Sequence, residues 1–160
     1  MKFKKVAVGG TFDYLHNGHV AILSKAFEVG ERVTVGIASD HMNLRKDSVG
    51  ISPLEERRKA LIDFLRSKGW DKRAKVVVIT DPFGPAIEDD ELEAIVVSEE
   101  TRPRAEEINR IRISRRLKPL EIIQIPWVLA EDETPISSIR IRYGEMDIHG
   151  KIRRGKKTIH

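Results

Sequence analysis

Apolar residues in this chain fall into short β-branched runs separated by stretches with helical spacing. The run Val6-Ala7-Val8 predicts a strand over about Lys4 to Gly9, and Val20 to Phe27 predicts a helix from about Gly18 to Val29. Asn17 suits the N-cap of that helix and Gly30 its C′ position. Arg32 to Ala38 predicts a second strand, and Ser39 to Gly50 a polar loop without periodicity. Ser52, Pro53 and Glu55 read as N-cap, N1 and capping-box partner of the next helix. Its inward residues are Leu54, Ala60, Leu61, Phe64 and Leu65, and Gly69 ends it.

Lys75 to Ile79 predicts a third strand, whose β-branched run suits burial on both faces. Asp81-Pro82-Phe83-Gly84-Pro85 must turn, because two prolines and a glycine forbid regular structure there. An acidic segment, Glu88 to Glu93, leads to a fourth strand at Ala94 to Val97. Thr101 to Leu117 reads as helix with Ala105, Ile108, Ile111 and Leu117 inward, and Leu120 to Ile125 as a fifth strand stopped by Pro126. Ile136 to Ile148 predicts one or two short helices, with a basic tail over about 145–160.

Strands that alternate with helices and are apolar throughout imply a parallel sheet covered on both sides. The predicted class is α/β: a single domain over residues 1–160 with a Rossmann-like, doubly wound sheet of about five parallel strands flanked by helices. Ligands of such sheets sit beyond the carboxyl ends of the strands.

Composition adds limits. The chain has 160 residues, and none of its apolar runs approaches the ~20 residues of a membrane span. Its start, Met1-Lys2-Phe3-Lys4-Lys5, leads into a strand without the features of a signal peptide, so a cytoplasmic location is expected. Cysteine is absent, which removes disulfides and thiolate metal sites. Charged residues make up 34%, against about 25% in average chains, and glutamine and asparagine are scarce, a thermophile pattern. The net charge of +4 sits mostly in Arg110 to Lys118 and Lys151 to Lys157, where no aromatic residues interleave. Solvated surface with an anionic small substrate therefore accounts for it better than a nucleic-acid face does.

The chemistry concentrates in Gly9-Gly10-Thr11-Phe12-Asp13-Tyr14-Leu15-His16-Asn17-Gly18-His19. Strand, glycine turn and helix start bring backbone N–H groups and a helix N-terminus to one point, which favours bound phosphate. No fold requires His16 and His19 there. The dinucleotide fingerprint is absent, since Thr11-Phe12-Asp13 follows the glycines. A P-loop is absent too: Gly155-Lys156 near the end is followed by lysine and lies after the last strand. A zinc site finds no cysteine and no H-E-x-x-H frame.

His16-Asn17-Gly18-His19 matches the H-x-G-H signature of the nucleotidylyltransferase superfamily, and Ile136-Ser137-Ser138-Ile139-Arg140 resembles its second signature. Gly9 to Asp13, Asp81 to Ala86 and Val96 to Thr101, with Asn109, Arg110 and Arg112, resemble the archaeal and eukaryotic phosphopantetheine adenylyltransferase family. The arginine pair that follows strand four in the bacterial form is replaced here by Ser98 and Thr101. The resemblance implies AMP transfer from ATP to 4′-phosphopantetheine, giving dephospho-coenzyme A and pyrophosphate. The acceptor phosphate attacks in line, without an enzyme nucleophile.

On that resemblance His19, Thr11 and Lys46 are the catalytic candidates, with Arg45 an alternative to Lys46. ATP would be held by Gly10, Thr11, Phe12, His16, His19, Ser98, Glu99, Ser137, Ser138 and Arg140. Substrate contacts would come from Thr11, Asp13, Asp40, Lys46, Asp81 and Arg112. Mg²⁺ is expected on the ATP phosphates, largely hydrated. Rival readings are a CTP-dependent or FMN/NMN-adenylylating relative, and a non-catalytic nucleotide or RNA-binding domain. The oligomeric state stays open.

Overall fold

The computed structural model describes residues 2–43, 50–134, 136, 138–142 and 144–152. Five strands, β1 (Phe3–Gly10), β2 (Gly30–Ala38), β3 (Ala74–Ile79), β4 (Ala94–Val97) and β5 (Glu121–Gln124), form one sheet. Every pairing is parallel, in the order β3-β2-β1-β4-β5. The helices are α1 (Asn17–Val29), α2 (Asp40–Asn43), α3 (Leu54–Ser67), α4 (Arg102–Ser114) and α5 (Ser138–Arg142). From β1 the chain moves outward to β3, then returns across β1 to β4 and β5. The switch point therefore lies between the carboxyl ends of β1 and β4, where doubly wound sheets bind ligands.

Strand alternation divides the core. Val6, Val8, Val33, Val35, Ala94 and Val96 meet α1 and α3 through Leu23, Phe27, Leu61 and Leu65. Ala7, Ile95 and Val97 point the other way, against Ala105 and Ile108 of α4. Fully burying a Leu or Phe side chain contributes about 1.5–3 kcal/mol, so these contacts dominate the stability of the frame. A third apolar cluster, Ala130, Ile136 and Met146, lies beyond β5.

Several sequence expectations shift. The N-cap of α1 is His16, and Asn17 is the first helical residue. Gly30 is not a left-handed C′ glycine; its φ is −112° and it enters β2 directly. Its need for glycine is steric, since a Cβ there would lie 2.8 Å from Val6 Cγ2. At α3, Pro53 occupies the N-cap and makes no side-chain bond. The carboxylate of Asp40 caps the helix instead, accepting from the Leu54 N–H at 3.0 and 3.2 Å.

β3 is half-exposed rather than buried on both faces, because it is an edge strand and only a 3₁₀ turn, Gly84–Ile87, separates it from β4. α4 ends at Ser114, short of Leu117, and turns Ala105, Ile108 and Arg112 inward. Residues 145–152 are no basic tail. Met146 is fully buried and bridges to Ile152.

Candidate active site

The loop after β1 makes a tight, strained path. Phe12 and Tyr14 both have positive φ, 52° and 47°, although neither is glycine. Each such residue costs about 1–2 kcal/mol, so the surroundings must enforce it. Phe12 is buried under the loop, with its ring 5.4 Å from that of His19. Arg57 of α3, also buried, ties the loop down from below. Its Nη1 donates to the carbonyls of Thr11 (2.9 Å) and Ala38 (2.8 Å), its Nε to Ser52 O (2.7 Å) and its Nη2 to Asp40 Oδ1 (2.9 Å).

At the start of α1 the two histidines are locked to the backbone and to each other. The Gly18 N–H donates to His16 Nδ1 at 3.0 Å, and the His16 N–H donates to His19 Nδ1 at 3.2 Å. The rings stack with centroids 3.8 Å apart. This is a capping box built from imidazoles, which satisfies two helix-start donors. Each Nδ1 accepts and so carries no proton, leaving Nε2–H as the donor of each neutral ring. Burial pushes the His16 pKa down to about 4, and burial with the charge of His16 pushes His19 down to about 3. Near neutral pH both are uncharged donors.

Gly18 is required by this geometry. A Cβ there would fall 2.7 Å from His16 Cε1 and 2.9 Å from Nδ1. The backbone around the pair is anchored from the far end of the chain. The Asn17 N–H donates to Ile148 O (2.9 Å), and the Asn17 side chain meets His149 at Nδ1 (3.2 Å) and at its carbonyl (3.5 Å). Ser138, at the start of α5, donates from Oγ to Asp13 O at 2.7 Å.

These elements wall a cavity of about 460 Å³. It brings together Gly10, Thr11, Phe12, Asp13, His16, His19, Ser98 and Ser138, all of them site candidates named from the sequence. It also gathers residues to which that reading gave no part: Arg104, Trp127 and Val128. Trp127, on the segment after β5, donates from its indole N–H to Glu99 at 2.6 Å, which occupies that carboxylate beside the cavity. An aromatic residue next to the strand-stopping proline was the available signal for it. A smaller cavity of about 70 Å³ adjoins on the α4 side of the sheet, and Gly9, Ile79, Thr101 and Arg104 line both.

Other anticipated residues are engaged elsewhere. Arg112 is neither a solvated face nor a cavity group. It is buried, and its guanidinium donates to the carbonyls of Ala86 (2.7 Å), Asp89 (2.8 Å) and Lys118 (2.8 Å), because α4 packs against the 3₁₀ turn there. Asp40 caps α3 and pairs with Arg57, so it does not line the cavity. Hydrogen bonds to the Leu54 N–H and then to Arg57 hold its carboxyl below the usual carboxylate range. Asp81 accepts from the Phe83 and Gly84 N–H groups, both at 2.8 Å, which makes it a turn residue. Arg140 pairs with Asp132 (2.8 Å) and Glu145 (2.9 Å), which orders the segment ahead of α5. Arg45, Lys46 and Ser137 lie outside the described residues. Among the described residues no group of three or more His, Cys, Asp or Glu is placed to hold a metal, and no helix is long and apolar enough to cross a membrane.

Comparison with known proteins agrees with this architecture. Residues 7–144 match the cytidylyltransferase-like family. A phosphopantetheine adenylyltransferase of Methanopyrus kandleri is 47% identical over 146 residues, covering 91% of this chain and 92% of that one. Another, from Pyrococcus abyssi, is 48% identical over 151 residues, covering 94% and 96%. Among solved structures, an Archaeoglobus fulgidus protein of unknown function superposes with a TM-score of 0.70 at 30% identity, covering 83% of this chain and 99% of its own. A tyrosyl-tRNA synthetase from the same organism, at 14% identity and a TM-score of 0.65 over 88% of this chain and 60% of that one, shares the fold alone. With close relatives along nearly its whole length, the chain belongs to the cytidylyltransferase-like family and, within it, to the phosphopantetheine adenylyltransferases.

Proposed function

We propose that the cavity at the β1–β4 switch point is the adenylyl-transfer site, where AMP passes from ATP to 4′-phosphopantetheine and pyrophosphate leaves. The observation that carries this reading is the locked histidine pair, which leaves two neutral Nε2–H donors on residues that line a cavity beside a glycine turn. In-line transfer between two phosphates needs alignment and stabilisation of charge growing on the α-phosphoryl oxygens, with no covalent enzyme intermediate.

In this reading the chain divides the work by position. His19, with His16 stacked on it, donates to the α-phosphoryl oxygens. Backbone N–H groups at Gly10 and Thr11, with the Thr11 hydroxyl, hold the acceptor phosphate for attack. Ser138, with Ser137 beside it in sequence, takes the β- and γ-phosphates. Pro126, Trp127 and Val128 form an apolar wall of the cavity suited to the adenine ring. The smaller cavity, lined by Gly36, Pro82, Phe83 and Ile108, takes the pantetheine arm. Lys46 remains the candidate cation between the two substrates. Mg²⁺ would enter with ATP and neutralise charge on its phosphates, and no protein ligand is assigned to it. The reaction belongs to coenzyme A synthesis, which places the enzyme in the cytoplasm with its small-molecule substrates.

The test is pyrophosphate release from ATP or CTP across a panel of acceptors. Turnover with ATP and 4′-phosphopantetheine is expected to exceed that of every other pair. Turnover with CTP, or with a riboflavin or nicotinamide nucleotide and none with 4′-phosphopantetheine, would overturn the assignment.

A further inference from the structure

Arg104 stands where helix electrostatics would not put a cation. It is in the first turn of α4, close to the positive end of the helix dipole, where arginine is disfavoured. The arginines around it have partners: Arg102 reaches Glu106 (3.1 Å) and Gln124 (3.2 Å), and Arg112 is spent on carbonyls. Arg104 has no side-chain hydrogen bond or ion pair among the described residues, although Glu100 stands just before the helix. Half-buried, it instead lines both cavities at their junction. Helical side chains lean toward the helix N-terminus, which directs this one toward the strand ends.

The other charged side chains on the large cavity's wall are Asp13 and Glu100, both acidic, and the histidines are neutral. Among the described residues Arg104 is thus the one Lys or Arg on a wall that must receive two polyanions. That it also lines the smaller cavity decides which. An acceptor whose arm fills that cavity and whose phosphate points at the β1 turn must pass it.

We propose that Arg104 binds the phosphate of the acceptor and sets the enzyme's discrimination for a phosphorylated over an unphosphorylated pantetheine. This rests on the function proposed above. A guanidinium suits the task because it presents parallel N–H donors to two phosphate oxygens.

The test measures binding of 4′-phosphopantetheine and of pantetheine to wild type, Arg104→Gln and Arg104→Lys by calorimetry, with steady-state KM values for both substrates. Wild type should bind the phosphorylated ligand at least tenfold more tightly. Arg104→Gln should lose most of that ratio and raise the acceptor KM about tenfold, leaving the ATP KM within twofold. Arg104→Lys should keep part of the ratio. A rise confined to the ATP KM would assign the arginine to the ATP phosphates and overturn the proposal, as would an unchanged ratio in Arg104→Gln. Failure of the wild-type protein to bind 4′-phosphopantetheine would instead overturn the function on which it rests.

Discussion

His16 and His19 stack with ring centroids 3.8 Å apart and 18° between planes, each accepting a backbone N–H at Nδ1. One arrangement therefore caps a helix, fixes two tautomers and orients two donors. A side chain that does only the first would leave the fold intact and the chemistry lost.

That separation predicts the result of His19→Ala. Loss of one preorganised donor to a developing oxyanion costs about 10²–10³ in kcat. Steady-state kinetics should show that loss while circular dichroism keeps the folded spectrum and stability falls by only about 1 kcal/mol, for the lost acceptor of the His16 N–H. Near-wild-type kcat would remove His19 from the transition state.

Acid should destabilise the protein through the same pair. Both folded-state pKa values, about 4 for His16 and about 3 for His19, lie below the unfolded value of 6.5. The unfolded chain therefore binds more protons between those limits. Stability is full above pH 6.5 and falls as the pH drops toward 4, by about 1.4 kcal/mol per pH unit for each histidine. Urea midpoints measured from pH 7 to 4 should fall less steeply in a His16→Gln/His19→Gln double variant.

Gly18→Ala tests the steric half of the motif. The added methyl would collide with the His16 ring at 2.7 Å, so the ring must leave its place against the Gly18 N–H. Alanine is otherwise the better helix former by about 1 kcal/mol. The expected outcome is a fall in kcat of at least tenfold, out of proportion to any change in thermal midpoint.

Arg57→Met should act mainly on stability. It would strand the carbonyls of Ser52, Thr11 and Ala38 beneath the loop, each at about 1–3 kcal/mol when left buried and unpaired. A destabilisation above about 3 kcal/mol is expected in chemical denaturation. Arg57→Lys should recover only part, because a single ammonium cannot reach all four partners.

Two truncations test the contact at Asn17. Ending the chain after Tyr143 removes Met146 from the third cluster and Ile148 O from the Asn17 N–H, and should abolish activity. Ending it after Ile152 keeps both, and should leave at least half of the wild-type kcat. Equal activity in the two would show that the contact at Asn17 does not position the histidines.

The elements and their order were legible because β-branched runs and helical spacing leave little choice of class. That the glycine turn, the two histidines and Ser138 would meet at one cavity was legible because they are residue types that packing does not require. β3 was misjudged since exposure of an edge strand depends on what covers it, which its own residues do not record. Arg112 read as a substrate contact and Arg57 drew no notice, for nothing local distinguishes a solvated or ligand-facing guanidinium from one threaded among carbonyls.

By itself, then, the amino-acid order determined the α/β frame, the position of the glycine turn after β1 and the pair of motifs at either end of the chain. Tertiary structure alone decided three other matters. It set the protonation of the histidines, because burial and backbone donors act through space. It moved Arg112, Asp40 and Asp81 out of the cavity wall, because their hydrogen-bonding capacity is consumed by nearby backbone groups and, for Asp40, by Arg57 as well. It also brought Ile148 onto Asn17 and Arg104 to the junction of two cavities, since contacts between residues remote in sequence form only when the sheet and its coverings assemble.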